Sequence, residues 1–249
     1  MPTATDDAAA LNAAAGGAEK SAYVRQIFSD IAPRYDLLNH VLSLNIDRRW
    51  RRKAIAMLRI HENPAGRYLD LCAGTLDVSA ALSGTSGFIG WIAGVDFAEP
   101  MLRAGRAKIA GKRIAPVAAD ALSLPFASAS MAGAIVAFGI RNGADLDAAL
   151  AEIHRLLAPG SRFVILEFST PRSRIINAGY QLYFNRVLPA VGGNISGHGT
   201  AYRYLPRSVA NFPAEEELAR RMTDAGFRKV FWKSLTLGIA AIHVGERST

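Results

Sequence analysis

Short apolar runs that alternate with helical segments are the feature of this sequence that most restricts its fold. Five such runs lie between residues 67 and 168: RYLDLC, GFIGWIAGVD, IAPVAAD, MAGAIVAF and RFVILEF. Most of the segments between them carry apolar residues at helical spacing, most clearly over residues 144–157. Strands joined by helices pair in parallel, and the helices cover both faces of the sheet. The alternation therefore predicts an α/β domain.

The last two apolar segments, FRKVFWKSL and GIAAIHVG, differ from the others because no helical segment separates them. A parallel crossover needs about a dozen residues or more, so these strands are expected to pair as an antiparallel hairpin at or near the sheet edge. A helix over residues 214–225 precedes them.

The remaining segments predict one domain with two additions. Residues 1–20 are rich in Ala and Gly and predict a disordered tail, with a frayed helix as the alternative. Residues 21–249 form the domain, which begins with a helical cap over 21–60 that Pro33 interrupts. Residues 172–212 are aromatic and glycine-rich, and are interpreted as an insertion that covers a substrate.

The charge balance restricts the class of partner. The chain has 29 Lys and Arg against 21 Asp and Glu, which favours polyanions or anionic membrane surfaces. The single cysteine, Cys72, excludes an intrachain disulfide, and the absence of CxxC and HExxH spacings predicts no metal site. No apolar run reaches the ~18 residues that span a bilayer, and the N-terminus does not resemble a secretory signal.

Polar residues follow the first two strands, where a doubly wound sheet binds its ligands. Gly74 and Thr75 lie in the turn LDLCAGTLD, where a glycine lets the backbone approach a ligand; an ordinary strand–helix turn is the alternative. Asp96 ends the second strand, and a carboxylate there accepts both ribose hydroxyls of a nucleoside. A dinucleotide site would need GxGxxG, which this turn lacks.

The next two strand ends carry further candidates. Asp120 ends the third strand and could accept the adenine amino group, although Asp is also a common helix N-cap. Arg141 and Asn142, in the segment FGIRN after the fourth strand, are placed where an active site is expected. An exposed structural arginine is the alternative interpretation of Arg141.

Several segments resemble one family, the menaquinone/ubiquinone-biosynthesis C-methyltransferases of the UbiE and Coq5 group. The resemblance covers about residues 23–246, and FGIRN, LEFSTP and YRYLPRSV are its most specific parts. It implies the class I methyltransferase fold, a Rossmann-like seven-stranded sheet, mostly parallel, with an antiparallel C-terminal hairpin. It also implies methyl transfer from S-adenosylmethionine to a polyprenyl quinol, either demethylmenaquinol or a 2-methoxy-6-polyprenyl-1,4-benzoquinol.

The resemblance also assigns residues to the cofactor. It implies that Thr75, Asp96 and the Asp120–Ala121 pair contact S-adenosylmethionine, and Ala137 stands where family members often have Ser. Leu76 replaces the second glycine of the usual GTGD. We expect this leucine to crowd the methionine end of the cofactor, and a positive φ there would add strain of about 1–2 kcal/mol.

For the acceptor side, we predict that Arg141 favours the phenolate form of the quinol and that Asn142 orients the ring. Tyr35 is a candidate for the pocket wall near the sulfonium, with core packing as the alternative. Glu167 could reach the substrate or make a structural hydrogen bond. Tyr180, in the insertion, could cover the prenyl tail, or the insertion could be the surface of a homodimer.

A polyprenyl quinol lies in the bilayer, so we expect a cytoplasmic protein associated peripherally with the inner face of the membrane. The run DRRWRRK (47–53) surrounds Trp50 with basic residues and suits an anionic headgroup layer, with a solvated helix face as the alternative. Helical spacing also places Trp50 on one face with Ala54, Met57 and Leu58.

Three rival functions follow from the same residues. The first is a methyltransferase that acts on another small molecule, since a fold does not fix a substrate. The second is a nucleic-acid methyltransferase, which the absence of any Pro-Pro dipeptide, and so of an NPPY-type motif, disfavours. The third is a non-catalytic, cofactor-binding scaffold of a quinone-synthesis complex, for which Leu76 is the motive.

Overall fold

The computed structural model describes residues 18–32, 45–183, 186 and 199–248, and these contain a seven-stranded sheet. Its strands are β1 (Arg67–Leu71), β2 (Trp91–Asp96), β3 (Ile114–Ala118), β4 (Met131–Ala137), β5 (Leu157–Phe168), β6 (Phe227–Leu235) and β7 (Ala240–Arg247). The described α-helices are α1 (Ala18–Ile31), α2 (Ile46–Met57), α3 (Asp77–Ser83), α4 (Glu99–Gly105), α5 (Leu146–Leu156), α6 (Arg174–Leu182), α7 (Gly199–Ala210) and α8 (Glu215–Asp224).

The sheet has the order β3-β2-β1-β4-β5-β7-β6. The first five strands pair in parallel, and β7 pairs antiparallel with both β5 and β6. The predicted α/β fold with an antiparallel hairpin at the edge is therefore confirmed. Because β1 has β2 on one side and β4 on the other, the chain crosses over at β1, and a cleft opens beyond the carboxyl ends of these strands.

The strands are buried on both faces, which explains their continuous apolar runs. Along β1, Tyr68 packs into one core cluster, and Leu69 and Leu71 pack into the cluster on the opposite face. Trp50 of α2 and Leu82 of α3 belong to the first cluster, whereas Leu150, Ile153 and Leu156 of α5 and Met222 of α8 belong to the second. The amphipathic pattern over residues 144–157 thus predicted the buried face of α5 correctly.

Two element boundaries differ from the sequence prediction. Strand β5 begins at Leu157 rather than Arg162, because Leu157 pairs with Met131 before a shift of register that includes Gly160, whose φ is +78°. Helix α1 begins at Ala18, so the last three residues assigned to the tail are helical; Ala, Glu and Lys are all strong helix formers. The rest of the tail lies outside the described residues.

Helix α7 is a third difference, because no helix was predicted over these residues. Pro206 lies inside this helix, and an interior proline normally argues against helical structure. The helix contacts α1 and the short 3₁₀ turn Ile140–Asn142, so packing against these elements stabilises it. None of the described helices is long and apolar enough to cross a bilayer.

Candidate active site

The turn after β1 forms one wall of the cleft. Its residues Cys72, Gly74 and Leu76 have φ values of +51°, +52° and +64°, so the backbone turns sharply before α3 begins. The Gly74 N–H donates a hydrogen bond of 2.9 Å to Asp96 Oδ2, and the Ala98 N–H donates one of 2.8 Å to Asp96 Oδ1. Asp96 therefore fixes the turn after β1 to the loop after β2.

The space between the residues that line the cleft beyond these strand ends, counted with the open solvent at its mouth, is about 670 Å³. Gly74, Asp96, Asp120, Ala121 and Asn142 all line it, as predicted for the cofactor and acceptor sites. The residues predicted from four separate strand ends thus meet in one cavity.

The apolar wall of the cleft was not predicted. Phe28, Phe97, Met101 and Phe138 line it together with the polar groups. Phe97 directly follows Asp96, the last residue of β2, so its position in the sequence could have predicted that it lines the cleft. Phe28 comes from α1, which is distant in sequence, and only the tertiary structure brings it to the site.

Asp120 has a local role beside its position in the cleft. Its Oδ1 accepts a hydrogen bond of 3.0 Å from the Leu122 N–H, so the side chain stabilises its own turn. The side chain is exposed at the cleft, which leaves the carboxylate accessible to a ligand. The structural and the ligand-binding interpretations of Asp120 are therefore compatible.

Thr75 and Ala137 do not belong to the described lining of the cleft. Thr75 is buried, and its backbone packs so closely on α4 that a Cβ at Gly105 would lie 2.3 Å from the Thr75 carbonyl oxygen. Ala137 ends β4 beside Leu166 and packs against the core. Both residues support the wall of the site, and their contact with the cofactor stays a prediction. Tyr35 lies outside the described residues.

Leu76 does not crowd the cleft, contrary to the expectation from sequence. Its side chain is fully buried in the core cluster between α3 and the sheet. The positive φ turns the side chain toward β2, where Gly94 leaves space: a Cβ at Gly94 would lie 2.5 Å from Leu76 Cδ2. The expected positive φ is present, and the motive for a non-catalytic scaffold is removed.

Arg141 is not among the described residues that line the cleft, although its neighbour Asn142 is. It lies in a buried polar network beside the cleft. Its guanidinium donates a hydrogen bond of 2.8 Å to Glu167 Oε2, and it also donates to the Phe138 carbonyl oxygen and to Ser208 Oγ. The guanidinium also lies over the Phe168 ring, 5.5 Å from its centroid. These contacts exclude the exposed structural arginine that was the alternative interpretation.

Burial and Arg141 act in opposite directions on the neighbouring acids. Burial raises the pKa of Glu167, and the charge and hydrogen bonds of Arg141 partly oppose this rise. Burial also raises the pKa of Tyr180 on α6, again against the opposing charge of Arg141. Tyr180 is therefore close enough to Arg141 for that charge to affect its pKa. Glu167 contacts Arg141, and it is not among the described residues that line the cleft.

Asn142 carries an unsatisfied group at the cleft. Its side-chain oxygen Oδ1 is buried and has no hydrogen-bond partner in the part of the chain that the structure describes. A buried polar atom without a partner costs about 1–3 kcal/mol, so such atoms often mark the position of a ligand group. Asn142 is therefore the side chain best placed to bind a hydroxyl in the cleft.

Trp50 is not an interfacial residue, contrary to the membrane interpretation of the run DRRWRRK. Its side chain is buried against Phe138 and Phe168, and its indole N–H donates a hydrogen bond of 2.9 Å to Thr236 Oγ1. Arg51 is also half-buried and lies near Asp47 and Asp77. The remaining basic residues of the run, Arg48, Arg49, Arg52 and Lys53, are exposed.

Asp70 gives a first testable prediction. Burial raises the pKa of Asp70 from 3.8 to about 7, although Ser79 Oγ donates a hydrogen bond of 2.6 Å to its carboxylate. Because the folded pKa exceeds the unfolded one, the folded state keeps a proton that the unfolded chain loses. Stability should therefore fall as pH rises from about 4 to 7, by up to about 4 kcal/mol.

The substitution Asp70→Asn should remove this part of the pH dependence, because an amide has no proton to lose and its oxygen can still accept from Ser79. Urea denaturation of both proteins across this pH range measures the effect. Burial also raises the pKa of Asp96 and Glu167, so the difference between the two proteins is the relevant quantity. Parallel stability curves for the two proteins would show that Asp70 does not titrate in this range.

Comparison with solved structures supports the same fold. A putative methyltransferase in complex with the Trm112 methyltransferase activator of Haloferax volcanii superimposes with a TM-score of 0.65 at 18% identity, covering 89% of this chain and 98% of that one. A S-adenosylmethionine-dependent methyltransferase of Thermotoga maritima, described as a possible histamine N-methyltransferase, gives 0.63 at 18% identity, with 90% and 99% coverage. At this identity the likeness shows the fold alone.

Comparison of sequences identifies the family. The demethylmenaquinone methyltransferase of Thermus thermophilus is 48% identical over 223 residues, which are 89% of this chain and 100% of that protein. The ubiquinone/menaquinone biosynthesis C-methyltransferase UbiE of Geobacter sulfurreducens is 46% identical over 233 residues, 92% of this chain and 90% of that protein. The model of the ubiE/COQ5 methyltransferase family matches residues 17–247, and the chain belongs to this family.

Proposed function

We propose that this protein transfers a methyl group from S-adenosylmethionine to a ring carbon of a polyprenyl quinol, either demethylmenaquinol or a 2-methoxy-6-polyprenyl-1,4-benzoquinol. The observation that carries the proposal is the meeting of Asp96 and Asn142 in one cleft, from the ends of β2 and β4. The first suits a nucleoside and the second suits a hydroxylated ring. The activities named for the two curated relatives agree with this chemistry.

The residues around Asp96 fit an adenosyl group. The Asp96 carboxylate accepts the backbone N–H groups of Gly74 and Ala98 at its two oxygens, and the Phe97 N–H also bonds to it. A carboxylate has about four acceptor sites, so capacity is left for a ribose hydroxyl. Phe97 and Met101 provide an apolar surface for the adenine, and Asp120 is accessible for its amino group. When bound, S-adenosylmethionine supplies a methyl group that is already electrophilic, so the protein does not need to activate it.

The acceptor is the less reactive partner, and the protein can act on it through two residues. A ring carbon becomes nucleophilic when the neighbouring hydroxyl loses its proton, but a phenol has a pKa of about 10. Asn142 Oδ1 would accept a hydrogen bond from the ring hydroxyl that keeps its proton and orient the ring. The other hydroxyl would lose its proton to solvent water, and the positive charge of Arg141 would stabilise the phenolate that forms. Methyl transfer would then release the cofactor as its thioether, and the methylated ring carbon would lose its proton to water.

Glu167 has a positioning role in this scheme. The buried Glu167 accepts hydrogen bonds from both the backbone N–H and the guanidinium of Arg141, at 3.4 and 2.8 Å. A buried guanidinium without a partner carboxylate would be strongly destabilising. Glu167 therefore makes the burial of Arg141 tolerable and fixes its orientation, but it also reduces the positive charge that the substrate senses.

Because a polyprenyl quinol resides in the bilayer, the proposal includes peripheral association with the inner face of the cytoplasmic membrane. The exposed residues Arg48, Arg49, Arg52 and Lys53 of α2 support this, since each basic residue near an anionic surface contributes about 1 kcal/mol. The net charge of +8 acts in the same direction.

The direct test is quinone profiling by mass spectrometry in a strain that lacks this chain. We expect a desmethyl quinone to accumulate, wild-type protein to restore the methylated form, and Asp96→Asn to fail. In calorimetric titration, this variant should bind S-adenosylmethionine about 10- to 100-fold more weakly, because it loses a charged acceptor. Asp224→Asn, an exposed site on α8, is the charge-matched control. An unchanged quinone profile in the deletion strain would refute the proposal.

A further inference from the structure

Helix α6 presents two different faces. On the inner face, Tyr180 is 7% exposed and lies near enough to Arg141 for that charge to affect its pKa. Ile175 is 86% exposed and Leu182 is 57% exposed. These two residues are seven positions apart, which is two helical turns, so they share one face, and this face lies opposite Tyr180. The helix thus separates the Arg141 network from an apolar surface that solvent contacts.

The sequence around α6 carries positive charge only, and the acids that follow this stretch, Glu215 and Glu216, already pair with Arg172. From Phe168 to Ala214 the sequence contains five arginines and no Asp, Glu or Lys. Arg174 is the first residue of α6, Arg186 follows the last residue of the helix by four positions, and both are exposed. An exposed apolar stripe between basic side chains is the pattern of helices that lie in the interfacial layer of an anionic membrane.

We propose that the outer face of α6 is the membrane-contact surface of this protein, with Ile175 and Leu182 inserted into the interfacial layer of an anionic bilayer and Arg174 and Arg186 on lipid phosphates. The inference rests on the proposed function, because it assumes a substrate that resides in the lipid. It replaces Trp50, which is buried, as the apolar element of membrane contact. It also explains how a lipid-bound quinol meets the Arg141 network: the same helix contacts both.

A second copy of the chain is a less suitable occupant. Most homodimers have two-fold symmetry, so the same patch on each protomer would face its own copy. Arg174 and Arg186 would then lie beside the equivalent arginines, and the sequence from Phe168 to Ala214 offers no carboxylate to neutralise them. An anionic lipid surface supplies the missing negative charge.

Flotation with lipid vesicles tests the inference. The double variant I175D/L182D should lower the partition coefficient onto phosphatidylcholine vesicles that contain phosphatidylglycerol by about tenfold or more, because two apolar contacts are lost and two negative charges are added. Wild-type protein should bind vesicles of phosphatidylcholine alone much more weakly. Ile175, Leu182 and the control position Ile89 are all exposed, so the substitutions should change the melting temperature little.

The matched control is I89D compared with the single variant I175D. Ile89 is 62% exposed and precedes β2, at the opposite end of the sheet from the cleft, so I89D should float like wild type. Equal flotation of wild type and I175D/L182D would overturn the inference, as would an equal loss in I89D. A change from dimer to monomer with flotation unchanged would also overturn it and assign the face to contact between copies.

Methylation of a soluble, tail-less quinol separates this inference from the proposed function. I175D/L182D should methylate that quinol at the wild-type rate, because neither residue belongs to the cleft. If the wild-type protein methylates no quinol but I175D/L182D binds vesicles more weakly than wild type, the proposed function fails and the surface assignment holds. If methylation is normal and flotation is unaffected by substitution, the surface assignment alone fails.

Discussion

The substitution Arg141→Ala is expected to lower kcat for quinol methylation by about 10²- to 10³-fold, the usual effect of removing one group that stabilises a developing negative charge. The loss should be largest near neutral pH, where the phenolate is scarce without a neighbouring cation. Activity of the variant should rise as pH approaches about 10, the ordinary pKa of a phenol. The measurement is a pH profile of kcat at saturating concentrations of both substrates.

Stability complicates this substitution, because Arg141→Ala leaves Glu167 buried without its partner, at a cost of about 3–5 kcal/mol. The double variant R141A/E167Q removes the unpaired buried charge, so its kcat reports the loss of Arg141 without that loss of stability. Arg141→Lys keeps the charge but loses the planar fork, so an intermediate rate is expected. Full turnover of R141A/E167Q across the pH range would contradict the role of Arg141.

The single substitution Glu167→Gln should shift the pH profile of kcat in the direction opposite to that of Arg141→Ala. The amide can still accept a hydrogen bond from Arg141, but it no longer neutralises the guanidinium charge. The phenolate should then form more readily, and the rise of kcat with pH should move to lower pH than in wild type. A catalytic base at Glu167 would instead produce a large loss of kcat in the same variant, so this profile distinguishes positioning from proton transfer.

The sheet and the polar side of the cleft could be predicted because their signals are local. Each strand is a short apolar run, and Gly74, Asp96 and Asn142 each follow such a run directly. In a doubly wound sheet, topology then brings these strand ends together without further information. The network of Arg141 could not be predicted in this way, because its partners Glu167 and Ser208 are 26 and 67 residues away.

Trp50 shows where two valid patterns give different answers. Helical spacing predicted that it shares a face with Ala54 and Leu58, and all three are buried. The basic residues around it suggested a membrane surface instead, and that interpretation was wrong. Local composition shows only which residues are neighbours in sequence. Helical spacing shows which residues share a face, and the apolar face of the helix is the one that becomes buried.

Leu76 shows a second limit of sequence reasoning, since the direction of its side chain depends on a backbone angle and on a partner in another strand. The structure predicts a strong coupling between Leu76 and Gly94. Gly94→Ala alone should cost about 1–3 kcal/mol, because its new Cβ meets Leu76 Cδ2 at 2.5 Å and Ser79 Oγ at 3.0 Å. Leu76→Gly should lose about 2–5 kcal/mol of packing, less about 1 kcal/mol from relief of the left-handed conformation.

In the double variant L76G/G94A, the methyl group occupies space that the leucine has left, so most of the cost of Gly94→Ala should disappear and only the contact with Ser79 Oγ should remain. Urea denaturation of all four proteins measures the coupling, expected at about 1–3 kcal/mol. Gly179→Ala, where an added Cβ meets nothing within 4 Å, is the control and should be neutral or stabilising. Equal costs of Gly94→Ala with and without Leu76 would show that the leucine lies elsewhere. In that case L76G should also bind S-adenosylmethionine more tightly, because the side chain would then occupy the cleft.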